Sequence, residues 1–358
     1  MRKVMVIVPA LSTGGGERMA LSIIENINAQ DMQIRLVSLY PDTDSIFSRE
    51  AKEKGIDIVY LNKKNGMDFA VVKELRREIR SFHPDVIHTH LYVVPYVMLA
   101  AKRKTVKYHT VHNIADKEAT GLLRKLQTFA FHHCNFRPVA ISPFCAKTIT
   151  DVYGIPTDEI PCILNGMDTD RFFPAPVTHE GIRLVSVGRF EEQKNQKLLL
   201  TAFHKVVETL PEEDILLDIV GEGYLRPELE AQADSLGIRD KVLMEGISRD
   251  VPGRLNMADI YVQSSDFEGL PVSVCEALAC GLPVVATKAG GTVDIVKDGE
   301  TGILTEIGDA DALAAAIIRL VKDGEEREKM AMSAAEFGKT LSIQTTAAKY
   351  EELYRKND

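Results

Sequence analysis

Two cations and two carboxylates in the second half of the chain have the types and spacing to act on a phosphate-linked sugar. Val187-Gly188-Arg189 is followed five residues on by Lys194, just past an apolar run of the kind that forms a strand. A diphosphate leaves readily only when its growing negative charge meets fixed positive charge, and Arg189 with Lys194 can supply that charge without a metal. Further on, Asp266-Phe267-Glu268-Gly269-Leu270-Pro271 leads into Val272-Ser273-Val274-Cys275-Glu276 and an apolar stretch. Pro271 suits the first helical position, so the N–H groups of Gly269 and Leu270 stand at a helix start, where an anionic or hydroxylated ligand is favoured. Glu276 then falls about one turn inside the helix and Glu268 on the loop before it. One of these carboxylates can grip the vicinal diol of a ribose in bidentate fashion, and the other can accept from sugar hydroxyls.

The first half offers Leu11-Ser12-Thr13-Gly14-Gly15-Gly16-Glu17-Arg18 between its first strand and first helix. Successive glycines remove every Cβ that would keep a ligand phosphate from the backbone N–H groups. The spacing matches neither G-x-G-x-x-G nor the Walker pattern, which argues against a dinucleotide or ATP site and against a dehydrogenase.

These residues need a frame. Val4–Val8, Ile34–Leu39, Ile58–Tyr60, Val86–His88, Lys107–Val111 and Pro138–Ile141 read as strands, with helices over Glu17–Ala29, Asp68–Phe82 and Leu122–His133. After Arg171-Phe172-Phe173-Pro174-Ala175-Pro176, where prolines mark a linker, the alternation resumes. Leu184–Val187, Ile215–Val220, Val242–Glu245, Ile260–Val262, Val284–Ala286 and Ile303–Leu304 read as strands. Gln196–Glu208, Leu225–Leu236, Val272–Ala279, Ala310–Val321 and a terminal Thr345–Arg355 read as helices. The expectation is α/β: two doubly wound parallel-sheet domains, residues 1–170 and 171–342, with ligand bound beyond the carboxyl ends of the strands.

At 358 residues the chain suits two such units. Neither a membrane span nor a signal peptide is apparent, which leads to an expected cytoplasmic location. The cysteines Cys134, Cys145, Cys162, Cys275 and Cys280 are odd in number and lack C-x-x-C spacing, so buried thiols are expected. The net charge of −9 is the sum of −12 over residues 171–358 and +3 over residues 1–170. Basic clusters occur only there: Lys63-Lys64, Arg76-Arg77 with Arg80, Lys102-Arg103-Lys104 with Lys107, and Arg124-Lys125. Such a face can rest on anionic lipid or hold a phosphate-bearing acceptor, or be a plain solvated surface. Nucleic acid is not an expected partner. Asp42-Thr43-Asp44 and Asp168-Thr169-Asp170 have the look of metal-binding triplets, but the first lies in a loop after a strand and the second, through Asp168, suits a turn.

Two acidic residues separated by seven positions, inside F-E-G-L-P-x-x-x-x-E-A-L-A-C-G-x-P-V-V-A, closely resemble the E-x7-E signature of retaining glycosyltransferases of the GT-B fold, family 4. Gly14-Gly15 resembles that family's N-terminal glycine loop. His88-Thr89-His90 and His109-Thr110-Val111-His112-Asn113 resemble its histidine segments, and Asn165-Gly166-Met167-Asp168 with Phe172 its domain junction. Val187-Gly188-Arg189 with Lys194, Gly221-Glu222-Gly223 and Asp298-Gly299-Glu300-Thr301-Gly302 extend the likeness.

The resemblance implies two Rossmann-like domains facing across a cleft, with the terminal helix, 343–358, packing back on the first. It implies transfer of a hexose, with retention, from a nucleoside-diphosphate sugar, UDP-sugar favoured, to a hydroxyl of a glycan or lipid-linked acceptor in cell-surface polysaccharide or glycoconjugate synthesis. No metal or other cofactor is implied. Gly15 and Gly16 would approach the donor, with Gly188, Gly269 and Leu270 lining its site. Arg189 and Lys194 would hold the diphosphate, Glu276 the ribose and Glu268 the hexose, and His112 would reach the sugar near the reacting carbon. Peripheral contact with an anionic membrane through the basic first domain is known in some members. Domain closure about Phe173–Pro176 is a further expectation.

Two departures from the family pattern bear on the site. Gly16 stands where Ala is common and should widen the loop, and Asp294 stands where Glu is usual. His88 and His90 are expected to alternate along a strand, so that at most one faces the cleft. His83, His132, His133, His179 and His204 are expected to serve packing or surface. A nucleotide-sugar epimerase on the same two-domain plan and a non-catalytic nucleotide-sugar-binding protein are the alternatives to a transferase.

Overall fold

The computed structural model describes residues 1–12, 14–28, 30–175 and 177–356. Thr13 of the glycine loop, the expected helix end at Ala29 and the linker's Pro176 lie outside the described residues. Two compact units are formed, one by residues 1–165 with 343–358 and the other by residues 166–342.

The first unit runs β1 (Arg2–Val8), α1 (Gly15–Asn26), β2 (Met32–Ser38), α2 (Ile46–Glu53), β3 (Ile58–Tyr60), α3 (Phe69–Phe82), β4 (Val86–His90), α4 (Val94–Ala100), β5 (Val106–Val111), α5 (Ala115–Glu118), α6 (Gly121–His133), β6 (Phe136–Ala140) and α7 (Pro143–Tyr153). Its six strands are parallel in the order β3-β2-β1-β4-β5-β6. Val4 is in register with both Ile34 and Val86, and β1 is apolar on both faces because helices cover both.

The second unit continues with β7 (Ile182–Val187), α8 (Gln196–Thr209), β8 (Ile215–Val220), α9 (Arg226–Ser235), β9 (Val242–Gly246), α10 (Val251–Asn256), β10 (Ile260–Gln263), α11 (Val272–Ala279), β11 (Val284–Thr287), β12 (Gly302–Thr305), α12 (Ala310–Lys322) and α13 (Gly324–Gly338). Its parallel order, β12-β11-β10-β7-β8-β9, repeats the plan of the first. In each unit the strand that comes first in sequence sits in the middle and the chain winds outward from it in both directions. The loops after two neighbouring strands therefore diverge, leaving a crevice at their carboxyl ends. That switch point lies between β1 and β4 in the first unit and between β7 and β10 in the second.

The last helix, α14 (Ile343–Arg355), packs on the first unit, where Ala347, Tyr350 and Tyr354 are buried among Val4, Val86 and Tyr108. Residues 166–170 belong with the second unit. Met167 N–H donates to Leu341 O at 2.9 Å, and Phe172 is buried. The stretch expected to act as a free linker is also fastened there, because Asn256 Nδ2 donates to Phe173 O and Ala175 N–H to Asn256 Oδ1. The chain passes between units at 165–166 and 342–343 instead.

Other readings change as well. Cys162 is exposed, at the end of an isolated bridge to Ala140, whereas the other four cysteines are buried. Lys63 and Lys107 do not contribute to a basic surface. Each is buried with its ammonium on backbone carbonyls, Lys63 on those of Lys64 and Gly66, and Lys107 on those of Lys102, Thr105 and Cys134. A buried cation is tolerated only when its donors are satisfied, and burial pushes Lys107 down to about 8. No helix among the described residues is long and apolar enough to cross a membrane.

Candidate functional site

In the second unit the two loops at the switch point are tied to each other. Lys194, on a short turn after β7, places Nζ 2.6 Å from Oε1 of Glu268, on the loop after β10. Ser265 Oγ donates to the same oxygen at 2.7 Å and Gln193 Nε2 to Oε2 at 3.3 Å. Asp266 N–H donates to Gln193 O, and Asn195 Nδ2 to Asp266 Oδ1, which closes the seam. Glu268 is 5% exposed and its carboxylate is largely occupied. Its main chain is crowded too: Gly290 has φ +53°, and a Cβ there would lie 1.8 Å from Glu268 O, so only glycine fits against the loop. Gly188 lies against the Lys194 stem, with its Cβ position 3.3 Å from Lys194 Cε.

Arg189 stands apart. Its side chain is 73% exposed and among the described residues pairs only with Glu191, at 3.0 Å, while Gln196 Nε2 holds its carbonyl. An exposed pair of this kind adds little to stability. Arg189→Ala is therefore expected to lower kcat by about 100-fold, the loss of one donor to developing charge, with Tm unchanged. Steady-state rates and thermal melts on one preparation check this, and a fall in Tm with kcat intact would assign Arg189 to structure.

Helix α11 starts one residue later than Pro271, which is extended (ψ 102°) and caps it, accepting at O from Val274 and Cys275 N–H. Gly269 and Leu270 are buried in the preceding loop, and Glu276 lies in the helix's second half, partly buried. Burial pushes the Glu276 carboxyl up to about 7, against a smaller opposing pull from Arg171. Among the described residues it has no hydrogen-bond partner, so both oxygens are open to a ligand. Tyr261 links this helix to the strand ends: its hydroxyl donates to Ser273 Oγ at 2.8 Å and Val187 O at 3.3 Å. Burial raises its pKa, and the charges of Glu276 and Glu268 add to the rise, which places both carboxylates around one phenol.

The first unit has its own switch-point cluster. Gly15 leads α1 with open space where a Cβ would be. At Gly16 a Cβ would meet Leu91 Cδ2 at 2.9 Å, and Leu91 follows β4 with φ +60°. The Leu91 side chain fills the space a methyl would take, so glycine at this position opens no extra room beside the turn.

His112, just past β5, has Nε2 2.8 Å from His90 Nδ1. His88 and His90 both point inward, with rings 4.1 Å apart, since residues two apart on a strand share a face. His88 is spent on Tyr354 OH at 2.5 Å and Thr110 Oγ1 at 2.8 Å. Glu118, which the sequence reading passed over, accepts from the N–H groups of His112 and Asn113 and so fixes the loop carrying His112. A carboxylate five residues after H-N was the available signal. Burial drives His112 down to about 4 despite Glu118 nearby.

Asp42 is occupied by Ser48 and Lys52, and Asp168 Oδ1 accepts from Asp170 N–H at 3.1 Å, forming a turn. Among the described residues no cluster of three or more His, Cys, Asp or Glu could hold a metal ion.

Residues 13–171 match the model for Glycosyltransferase Family 4, and residues 168–337 that for Glycosyl transferases group 1. The chain belongs to the family 4 glycosyltransferases. It is 24% identical to N-acetyl-alpha-D-glucosaminyl L-malate synthase of Bacillus anthracis, over 80% of this chain and 78% of that one. It is 28% identical to the UDP-Gal:alpha-D-GlcNAc-diphosphoundecaprenol alpha-1,3-galactosyltransferase of Escherichia coli, over 67% of each. Among solved structures, Anabaena HepE in complex with UDP and glucose superposes with a TM-score of 0.85 at 19% identity, covering 99% of this chain and 100% of that one. That likeness bears out the two-domain α/β GT-B fold of this glycosyltransferase.

Proposed function

We propose that the enzyme transfers a hexose, with retention, from a UDP-sugar to a hydroxyl of a glycan or lipid-linked acceptor, and that it needs no metal. The observation that carries this reading is the second unit's switch point. There a part-exposed lysine is braced by a buried glutamate, and a partly buried glutamate with two unoccupied oxygens lies in the next helix. The donor's diphosphate would lie against Lys194 and Arg189, and its ribose diol against Glu276. Glu268 would hold Lys194 in place and offer the free lone pairs of Oε2 to the hexose. In the reaction the C1–O bond to the diphosphate breaks with its electron pair going to the phosphate oxygen. The acceptor hydroxyl closes a new C1–O bond on the same face, and its proton passes to that phosphate oxygen. The intervening oxocarbenium-like state is held by the leaving phosphate's own charge, so no protein nucleophile is required.

One relative's name gives a diphosphoundecaprenol-linked sugar as acceptor and another's gives lipopolysaccharide core biosynthesis, which favours an acceptor of that class. The exposed cations of the first unit would meet an anionic membrane surface.

A panel of UDP- and GDP-sugars in a thermal-shift assay tests donor choice. A donor at a hundred times its Kd adds about 2.7 kcal/mol of stability. UDP-sugars are expected to raise Tm and GDP-sugars to leave it unmoved. Turnover with the selected donor is expected to survive EDTA. Loss of turnover in EDTA with recovery in Mn²⁺ would overturn the metal-free account. Release of an altered sugar without an acceptor would favour an epimerase.

A further inference from the structure

The pair His90 and His112 carries information about proton placement. His90 is fully buried. One of its nitrogens, Nδ1, faces His112 Nε2 across 2.8 Å, and the other, Nε2, is buried with no hydrogen-bond partner among the described residues. The two rings stack with centroids 5.1 Å apart. Burial, with His88 and His109 nearby, keeps His90 neutral, and burial does the same for His112 against the opposing Glu118. Each ring therefore carries one proton, and of the two facing nitrogens one must donate and the other accept.

Only two arrangements satisfy this. If His90 carried its proton on Nε2, an N–H would be buried without an acceptor. If it carried the proton on Nδ1, only a lone pair would be left over. Orphaned buried N–H groups are rarer than under-satisfied acceptors, and a stranded donor forfeits its full desolvation cost. The second arrangement is favoured, so His90 donates from Nδ1 and His112 accepts at Nε2. The proton of His112 is then on its own Nδ1, the nitrogen that no described residue engages.

We propose that His90 is a positioning residue that holds His112 in its Nδ1–H tautomer, so that His112 presents a hydrogen-bond donor, and not a base, to an oxygen of the bound donor. The proposal rests on the reading that His112 reaches the donor sugar. The surroundings support a fixed tautomer: His88 on the same strand is fully engaged by Tyr354 and Thr110, His109 lies 3.3 Å from Glu118 Oε1, and the other oxygen of Glu118 holds the His112 backbone. No charged group in this set offers His90 Nε2 an acceptor.

Long-range ¹H–¹⁵N correlation on the full chain labelled with ¹⁵N-histidine reads the tautomer directly, with His112 identified by its loss in His112→Gln. Wild type is expected to show His112 protonated on Nδ1. His90→Leu should populate the Nε2–H form and lower kcat about tenfold with little change in KM, the loss of one oriented hydrogen bond in the transition state. His90→Asn, which can donate from nearly the position of Nδ1, should restore the tautomer and most of kcat. His112 protonated on Nε2 in wild type overturns the proposal, even if His90→Leu fails to fold. An unchanged tautomer and kcat in a folded His90→Leu overturns it as well. Failure of every nucleotide sugar to shift Tm would defeat the donor reading instead, whichever tautomer is seen.

Discussion

Lys194→Ala is expected to reduce kcat by roughly 1,000-fold, the upper end of what one donor aimed at developing charge contributes. The physical reason is twofold. The ammonium is a fixed positive charge at the second unit's switch point, and its removal also strands Glu268, a residue 5% exposed. Breaking a buried pair by deleting one partner costs more than the pair was worth, because the survivor keeps its desolvation penalty. Some loss of stability should therefore accompany the loss of rate, and a control is needed to separate them. In Lys194→Ala/Glu268→Gln the stranded charge is gone, so Tm should recover while kcat stays low. Single-turnover rates and melts for both variants check this. Recovery of the rate along with Tm would make Lys194 a structural residue.

The second large effect belongs to Glu276. Its carboxyl sits at about 7, above the ordinary 4.5, because it is partly buried and only weakly compensated by Arg171. A carboxyl raised on folding lowers stability as pH rises. Below pH 4.5 both states are protonated and no penalty exists. Between 4.5 and 7 the unfolded chain ionises while the folded one keeps its proton, and above 7 the full penalty, on the order of 3 kcal/mol, is in force. Glu276→Gln should therefore be more stable than wild type at pH 8 by up to about that amount and equal to it at pH 4.5. Urea midpoints at the two pH values measure the difference.

Donor binding should respond in the opposite sense. On the proposed reading the ionised carboxylate would accept both ribose hydroxyls, so wild-type affinity should weaken as pH falls through 7. Glu276→Gln should bind donor at least about 30-fold more weakly at pH 8, on the scale of one charge-assisted bidentate contact, and should lose this pH dependence. Titration calorimetry over pH 6–8 decides it. A variant that binds donor as tightly as wild type would remove the ribose from Glu276. A group that costs stability at neutral pH and offers two unoccupied oxygens is the pattern of a residue kept for its ligand.

The strands of both sheets were legible from local composition, since a strand covered on both faces must be β-branched and apolar along its length. Val4–Val8 shows it clearly. Of the helices that escaped notice, α2, α4, α5 and α10 are short. Even so, α7 carries a full set of end signals: Ser142 accepts from Cys145 N–H, Pro143 stands at the first position and Gly154 ends it at φ +69°. The helix α13, capped by Asp323, is too mixed in polarity to announce itself.

What the sequence by itself determined, then, was the inventory: two parallel-sheet units, a glycine turn, two cations, two carboxylates and a run of histidines. Local chain chemistry decides each of these, so each can be read locally. Only the tertiary structure decided how they are spent. The bond from Lys194 to Glu268 spans 74 residues, that from His88 to Tyr354 spans 266, and that from His90 to His112 crosses strands. The burial that neutralises His112 and raises Glu276 arises from the same packing. Protonation and pairing depend on which distant groups exclude water from a side chain, and no spacing along the chain encodes that.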